Sequence, residues 1–447
     1  MSETAAITKP DTLVVGLGAT GLSVARHLAG RGEAFAITDT RDAPAGLARL
    51  AEIPGAESRW AGPLAALDPG VWRRIVISPG VPVALPELER AAAAGAEIVG
   101  DIELFARSVR QPVLGITGSN GKSTVTALSG ALLEAQGRRV AVGGNFGTPA
   151  LDLLDEDAEL YVLELSSFQL ETTRSLAPAG AAILNISADH LDRYADLEAY
   201  AAAKARILRG AQRIVVNRQD PVVAGLAAGR GAVTFGLDEP AGPEDFGILE
   251  LGGQTWLARG ATSLFPTAGL FVHGRHNWLN ALAALALCWP WLEDPARWQP
   301  ALGGFVGLPY RSRPVARHRD VDYVDDSKGT NVGATLAAIR GVAGPLILIA
   351  GGQGKGQDFA PLADALVGKA RGVVLLGADA PAIAQALNGS VPVRIVDSME
   401  EAVAGAAQWA QAGDTVLLSP ACASLDMFAN YAERGDRFAA AVRGLGT

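Results

Sequence analysis

Between the apolar stretch Val113-Leu114-Gly115-Ile116 and a helical segment stands the run Thr117-Gly118-Ser119-Asn120-Gly121-Lys122-Ser123-Thr124, and no other feature narrows the fold as far. Phosphate needs exposed backbone amides at a helix N-terminus, a cation and a hydroxyl able to reach Mg²⁺, and a strand–loop–helix order supplies them in turn. The loop is shorter than the strict GxxxxGK[ST] form, because Ile116 stands where the first glycine would be. The residues predict ATP at Gly118, Ser119, Asn120, Gly121, Lys122, Ser123 and Thr124, with Lys122 toward the β- and γ-phosphates. A glycine turn without a ligand is the alternative.

A second glycine loop opens the chain. The strand Leu13-Val14-Val15 runs into Gly16-Leu17-Gly18-Ala19-Thr20-Gly21, an amphipathic helix through His27 and Leu28, and a strand over 34–38 that ends at Asp39. This is a βαβ unit with GxGxxG spacing, and Asp39 stands about where a ribose-binding carboxylate belongs. Such spacing alone is weak: it fits a dinucleotide cofactor, another nucleotide, or glycines that only pack a helix on its strand. After residue 307, strands over 346–350, 372–376 and 415–418 alternate with helical segments as in another doubly wound sheet.

A chain of 447 residues exceeds one ordinary core. Three α/β domains are expected, at 1–100, 101–306 and 307–447. The formal charge of -9 argues against non-specific binding to nucleic acid or an anionic membrane. Cys288 and Cys422 lie far apart without CxxC spacing, the start of the chain lacks a signal-like apolar run, and longer apolar stretches are broken before spanning length. A cytoplasmic protein, not inserted in a membrane, is expected.

Several runs together resemble the Mur ligases: the phosphate loop, Glu164-Leu-Ser-Ser-Phe-Gln169-Leu-Glu171, Asn185-Ile-Ser-Ala-Asp-His190-Leu-Asp192-Arg193-Tyr194, and Gly274-Arg-His276-Asn277-Trp-Leu-Asn280-Ala. Gly100-Asp101-Ile-Glu103-Leu-Phe105, Asp325-Asp326-Ser327-Lys328 and Ser419-Pro-Ala-Cys-Ala-Ser424-Leu-Asp426 narrow the resemblance to members that add D-glutamate to UDP-N-acetylmuramoyl-L-alanine. It covers nearly the whole chain. It implies a Rossmann-like N-terminal domain for the UDP-sugar, a central P-loop domain for ATP and a Rossmann-like C-terminal domain for the amino acid. The implied chemistry is amide formation through an acyl phosphate with ATP and two Mg²⁺ ions, with no NAD or FAD, by a monomer.

The resemblance also implies roles. Lys122, Glu164, His190 and Lys204 would be catalytic, with Ser123, Glu164, His190 and a carbamylated Lys204 holding metal. Read without it, Glu164 is a strand-end carboxylate able to share a metal with Ser123. Likewise His190 is a histidine near the end of a strand over 182–186, and Lys204 an exposed lysine on an Ala-rich helix. Asn280, Arg311, Asp326 and Lys328 join the ATP side. Leu17, Ala19, Thr20, Asp39, Thr40, Arg41, Ser78, Gly80, Asn145, Ser166 and His190 would meet the UDP-sugar, and Thr330, Lys355, Ser424, Leu425 and Tyr431 the glutamate.

Four positions depart from the family's pattern. Tyr310 stands for a common histidine, Gly329 for alanine, Gln353 for an acidic or similar residue and Tyr431 for phenylalanine. None removes a catalytic group, but they leave D- versus L-glutamate open. The competing classes are a related ligase with another acceptor, an NAD-binding dehydrogenase led by the first glycine loop, and a non-catalytic nucleotide-binding protein. Meeting of Arg311 and Lys355 with the distant phosphate loop would require the third domain to close over the second.

Overall fold

The computed structural model describes residues 11–44, 46–54, 59–155, 157–190, 193–272 and 274–446. Leu191 and Asp192 of the histidine-containing run lie outside them. The described residues form three sheets.

The first sheet contains β1 (Thr12–Val15), β2 (Phe35–Asp39), β3 (Trp60–Pro63), β4 (Arg74–Ile77) and β5 (Glu97–Val99), ordered β3-β2-β1-β4-β5. All its pairings are parallel. β1 is wholly buried, as an apolar strand covered on both faces must be. The helix Ala19–Gly30 follows its glycine loop closely: a Cβ on Gly21 would stand 1.7 Å from the Gly16 carbonyl oxygen. Only glycine permits that approach.

The second sheet contains β6 (Val113–Thr117), β7 (Val140–Gly144), β8 (Leu160–Glu164), β9 (Gly180–Ile183), β10 (Ile214–Asn217), β11 (Val233–Phe235), β12 (Phe246–Leu251), β13 (Gln254–Arg259) and β14 (Thr262–Pro266). Its order is β14-β13-β12-β11-β10-β9-β6-β8-β7, antiparallel only from β12 to β14. β6 has β8 on one side and β9 on the other, so the chain changes direction there. The carboxyl end of such a strand opens a crevice for a ligand. On one face Leu114, Ile116, Val125, Leu128 and Leu132 pack with the helix Arg275–Cys288. On the other, Leu163, Ile183 and Tyr200 share a core with Ile102 and Phe105 of the helix Asp101–Ser108 and with Val14 and Leu22 of the first domain.

The third sheet contains β15 (Arg313–His318), β16 (Val321–Asp325), β17 (Leu346–Gly351), β18 (Ala370–Leu376), β19 (Val393–Ile395) and β20 (Thr415–Leu418), ordered β15-β16-β20-β17-β18-β19. Only β15 is antiparallel. Every residue of β17 is buried, between the clusters around Leu348 and around Ile349.

Two local expectations change. The strand predicted over 182–186 ends at Ile183, because beyond Leu184 the chain bonds the phosphate loop instead of a neighbouring strand. The Asn185 carbonyl accepts from Ser119 N at 2.9 Å, and its side-chain oxygen from Asn120 N at 2.8 Å. His190 therefore lies in a loop, with φ 57°. Lys204, at the end of the helix Leu197–Ala205, is 1% exposed rather than solvated.

Candidate active site

The phosphate loop leaves β6 and turns at Gly121, whose φ of 83° caps the helix Lys122–Ala135 from the left-handed region that glycine tolerates. Lys122 Nζ donates to the carbonyls of Gly118 and Ser119, both at 2.8 Å. Its ammonium thus sits over the loop. Burial holds its pKa below the usual lysine value.

Beside the loop, the carboxyl end of β8 delivers Glu164. Ser123 Oγ donates to Glu164 Oε2 at 2.5 Å, Asn145 Nδ2 to Glu164 Oε1 at 2.8 Å, and Arg311 Nη2 to Ser123 Oγ at 2.6 Å. Four side chains predicted from separate stretches of sequence, Ser123, Asn145, Glu164 and Arg311, therefore meet in one network. Arg311 comes from the segment before β15, so the third domain is already seated on the second. Burial holds the Arg311 pKa below its usual value.

Lys204 Nζ lies 4.5 Å from the centre of the Tyr200 ring. Burial first, then the charge of Lys122, pushes its pKa well below that of a free lysine. A neutral amine is the form that reacts with CO₂. His190 places Nε2 3.8 Å from Asp189 Oδ2 and its ring edge-on to Phe168 at 4.8 Å.

A cleft of about 330 Å³ adjoins the loop, lined in part by Asn120, Thr124, Asn280, Arg311, Asp326 and Lys328. Burial raises the Asp326 pKa to about 7, and its carboxylate accepts from Ser419 Oγ at 2.7 Å and Ser312 N at 3.1 Å. Burial also lowers Lys328 to about 8, with Nζ 3.8 Å from the Tyr431 ring centre. Asn217, Asp220, His276 and Asn277 line the same cleft and were not singled out as ligands from the sequence. The run around His276 was the available signal.

Most of the remaining predicted residues follow strand ends, whereas Tyr431 opens the helix Tyr431–Gly444. Leu17, Ala19, Thr20, Thr40, Arg41, Ser78 and Gly80 follow the carboxyl ends of β1, β2 and β4, and Asp39 closes β2. Asp39 is buried and holds its own loop: it accepts from Leu17 N at 2.7 Å and from Arg41 Nε at 2.8 Å. Ser166 caps the helix Ser167–Glu171 in a box with Gln169. In the third domain, Thr330, Lys355 and Ser424 follow β16, β17 and β20. Lys355 Nζ lies 3.8 Å from Asp189 Oδ1, whereas Leu425 is 68% exposed. Asp189, which joins Lys355 to the second domain, was quoted in a run but given no role from the sequence.

The donor set fits a phosphate-bound divalent ion. Ser123 Oγ and Glu164 converge, and among the described residues no cluster of three His, Cys, Asp or Glu side chains forms a complete cage. Mg²⁺ typically takes one or two protein oxygens and completes its shell with phosphates and water.

Three family models match in order: the MurD-like N-terminal domain of Mur ligases at residues 10–100, the Mur ligase middle domain at 116–288 and the Mur ligase glutamate ligase domain at 310–422. The chain is 52% identical to the UDP-N-acetylmuramoylalanine–D-glutamate ligase of Methylobacillus flagellatus over 440 residues, 97% of each chain. To the like-named protein of Pseudomonas aeruginosa it is 51% identical over 439 residues, 97% of this chain and 98% of the relative. Among solved structures, the UDP-N-acetylmuramate–alanine ligase of Thermotoga maritima superposes with a TM-score of 0.63 at 20% identity, covering 98% of this chain and all of the other. A pseudomurein peptide ligase type C from Methanothermus fervidus superposes at 0.61 and 20% identity, with 97% and 100% covered. By its three matched domains and its half-identical, full-length relatives, this chain belongs to the Mur ligase family.

Proposed function

We propose that the protein joins D-glutamate to the L-alanyl carboxylate of UDP-N-acetylmuramoyl-L-alanine, converting ATP to ADP and phosphate, in cytoplasmic synthesis of peptidoglycan precursors. The observation that carries this reading is identity of about half, over nearly the whole length, to relatives named for that reaction. The domain boundaries we propose are 100/101 and 306/307, and the working unit is a monomer. No described helix is long and apolar enough to cross a membrane.

The site chemistry follows from its charges. Amides of residues 118–124 cradle the nucleotide phosphates, Lys122 supplies the adjacent cation, and Asn280, Asp326 and Lys328 hold the nucleotide side of the cleft. Ser123 and Glu164 would hold one Mg²⁺, and His190 with a carbamylated Lys204 would hold a second. Ions held there would supply charge neutralisation at the phosphates, against which the substrate carboxylate must approach. That carboxylate oxygen bonds the γ-phosphorus as the bond to ADP breaks. Arg311 meets the charge that develops on the transferred phosphoryl group. The glutamate amine then bonds the acyl carbon, loses a proton, and the C–O bond to phosphate breaks.

Leu17, Ala19, Thr20, Asp39, Thr40, Arg41, Ser78, Gly80, Ser166 and His190 receive the UDP-sugar, with Asn145 near its peptide end. Thr330, Lys355, Ser424, Leu425 and Tyr431 hold glutamate, with Lys355 opposite an acidic group. For Lys204, a neutral Nζ adds CO₂, forms an N–C bond and releases a proton, converting a buried neutral amine into a metal-binding anion. Trapping tests the intermediate: hydroxylamine offered in place of glutamate is expected to yield the substrate's hydroxamate, dependent on ATP. ATP turnover without hydroxamate would overturn the acyl phosphate.

A further inference from the structure

One residue outside the proposed ligand sets touches three parts of the closed cleft. Asn331 is 3% exposed and caps the helix Val332–Gly341 of the third domain, its Oδ1 accepting from Ala334 N at 2.8 Å. Its Nδ2 also donates to Asn120 Oδ1 at 3.2 Å and to Asp189 Oδ2 at 3.1 Å, and Asn120 Nδ2 reaches its Oδ1 at 3.4 Å. Asn120 belongs to the phosphate loop. Asp189 faces Lys355, the cation assigned to glutamate, at 3.8 Å.

Packing at both ends of this helix supports the same seat. A Cβ on Gly333 would stand 2.9 Å from Ser187 Oγ and 3.4 Å from Asn120 Nδ2. At the other end, a Cβ on Gly341 would stand 3.1 Å from the His276 ring. Between them Gly333, Ala334, Ala337 and Ala338 line the nucleotide cleft. Small residues along the helix thus let it lie directly on the second domain.

We propose that Asn331 is a positioning residue that couples the phosphate loop to the glutamate site: its amide holds the third domain in register with Asn120 and Asp189, and so places Lys355. The inference rests on the ligase reading. A helix cap alone would not need an amide there, because Ser and Asp cap equally well. Two of its three cross-domain bonds do need it, those to Asn120 Oδ1 and Asp189 Oδ2, since each uses the Nδ2 donor that neither replacement has.

The test compares Asn331→Ser and Asn331→Asp with the parent enzyme in steady-state phosphate release, with melting temperature measured alongside. Both variants keep the cap and are expected to stay folded, with a modest fall in melting temperature from the lost buried bonds. Loss of the two cross-domain bonds should raise KM for D-glutamate roughly tenfold in Asn331→Ser. Asn331→Asp should raise it further, because a carboxylate would face Asp189. KM for ATP should change less than KM for D-glutamate. A parental KM for D-glutamate in both variants, or an equal change in every constant, would overturn the coupling role. A parent enzyme without turnover would instead refute the ligase reading itself. Should Asn331→Ser prove unstable, Gly333→Ala decides: it leaves Asn331 in place and wedges the helix from Ser187, and the same selective rise is required of it.

Discussion

Replacing Glu164 with Gln changes one charge and almost no volume. Glu164 is 3% exposed and fully engaged, accepting from Ser123 Oγ through Oε2 and from Asn145 Nδ2 through Oε1. A glutamine can keep one of these bonds through its oxygen, while its NH₂ must face the other partner. Stability should therefore change by only about 1–2 kcal/mol, the cost of one misplaced buried hydrogen bond. Catalysis should change more. At about 4 Å and an effective dielectric of about 20, unit charges attract by about 4 kcal/mol, and desolvation removes part of this. A remaining roughly 2–3 kcal/mol corresponds to a fall in kcat of roughly 30–150-fold. The assay is phosphate release across a Mg²⁺ titration, with a thermal melt for folding. A folded Glu164→Gln enzyme within about threefold of the parent at every Mg²⁺ concentration would refute the assignment of Glu164 to the metal.

Three further outcomes follow from particular contacts. Arg311→Ala removes the donor to Ser123 and the cation at the phosphates; kcat/KM for ATP should fall roughly 10–100-fold by the scale of one charge-assisted bond, measured by phosphate release. Gly21→Ala drives a methyl group into the Gly16 carbonyl and should destabilise the first domain by more than about 3 kcal/mol, whereas Gly18→Ala meets nothing within 4 Å and should melt like the parent. Asp101, buried with Oδ1 unpartnered, has its pKa raised to about 6 by burial. Its folded form holds a proton that the unfolded chain has released, so its contribution to stability is fully present below pH 3.8 and is lost as pH rises through about 6. Asp101→Asn should flatten the fall in melting temperature between pH 4 and 7.

The strand–loop–helix around Lys122 was legible because phosphate chemistry imposes residue types in a fixed local order, and β6 lies where an unbroken apolar run predicts. Long-range meetings were less legible. Nothing local to Lys204 announces burial; the small alanines of its helix allow close packing, and tertiary contacts alone turn its amine inward. The antiparallel extension β12–β14 was missed because burial along its strands changes from end to end and does not alternate residue by residue. Asp39 illustrates the reverse case. Its spacing in the βαβ unit marked it, and in the structure its carboxylate accepts from Leu17 N and Arg41, which shapes the loop proposed to receive UDP. Asp189 and Asn331 were passed over because their role arises only when two domains meet.

The most direct measurement offers ATP, Mg²⁺ and UDP-N-acetylmuramoyl-L-alanine with D-glutamate, with L-glutamate or with no amino acid, and follows phosphate and product mass. The account predicts phosphate release matched by an amide product only with D-glutamate. Turnover with L-glutamate would contradict the proposed acceptor while keeping the chemistry, and no phosphate release with any acceptor would contradict the ligase reading as a whole.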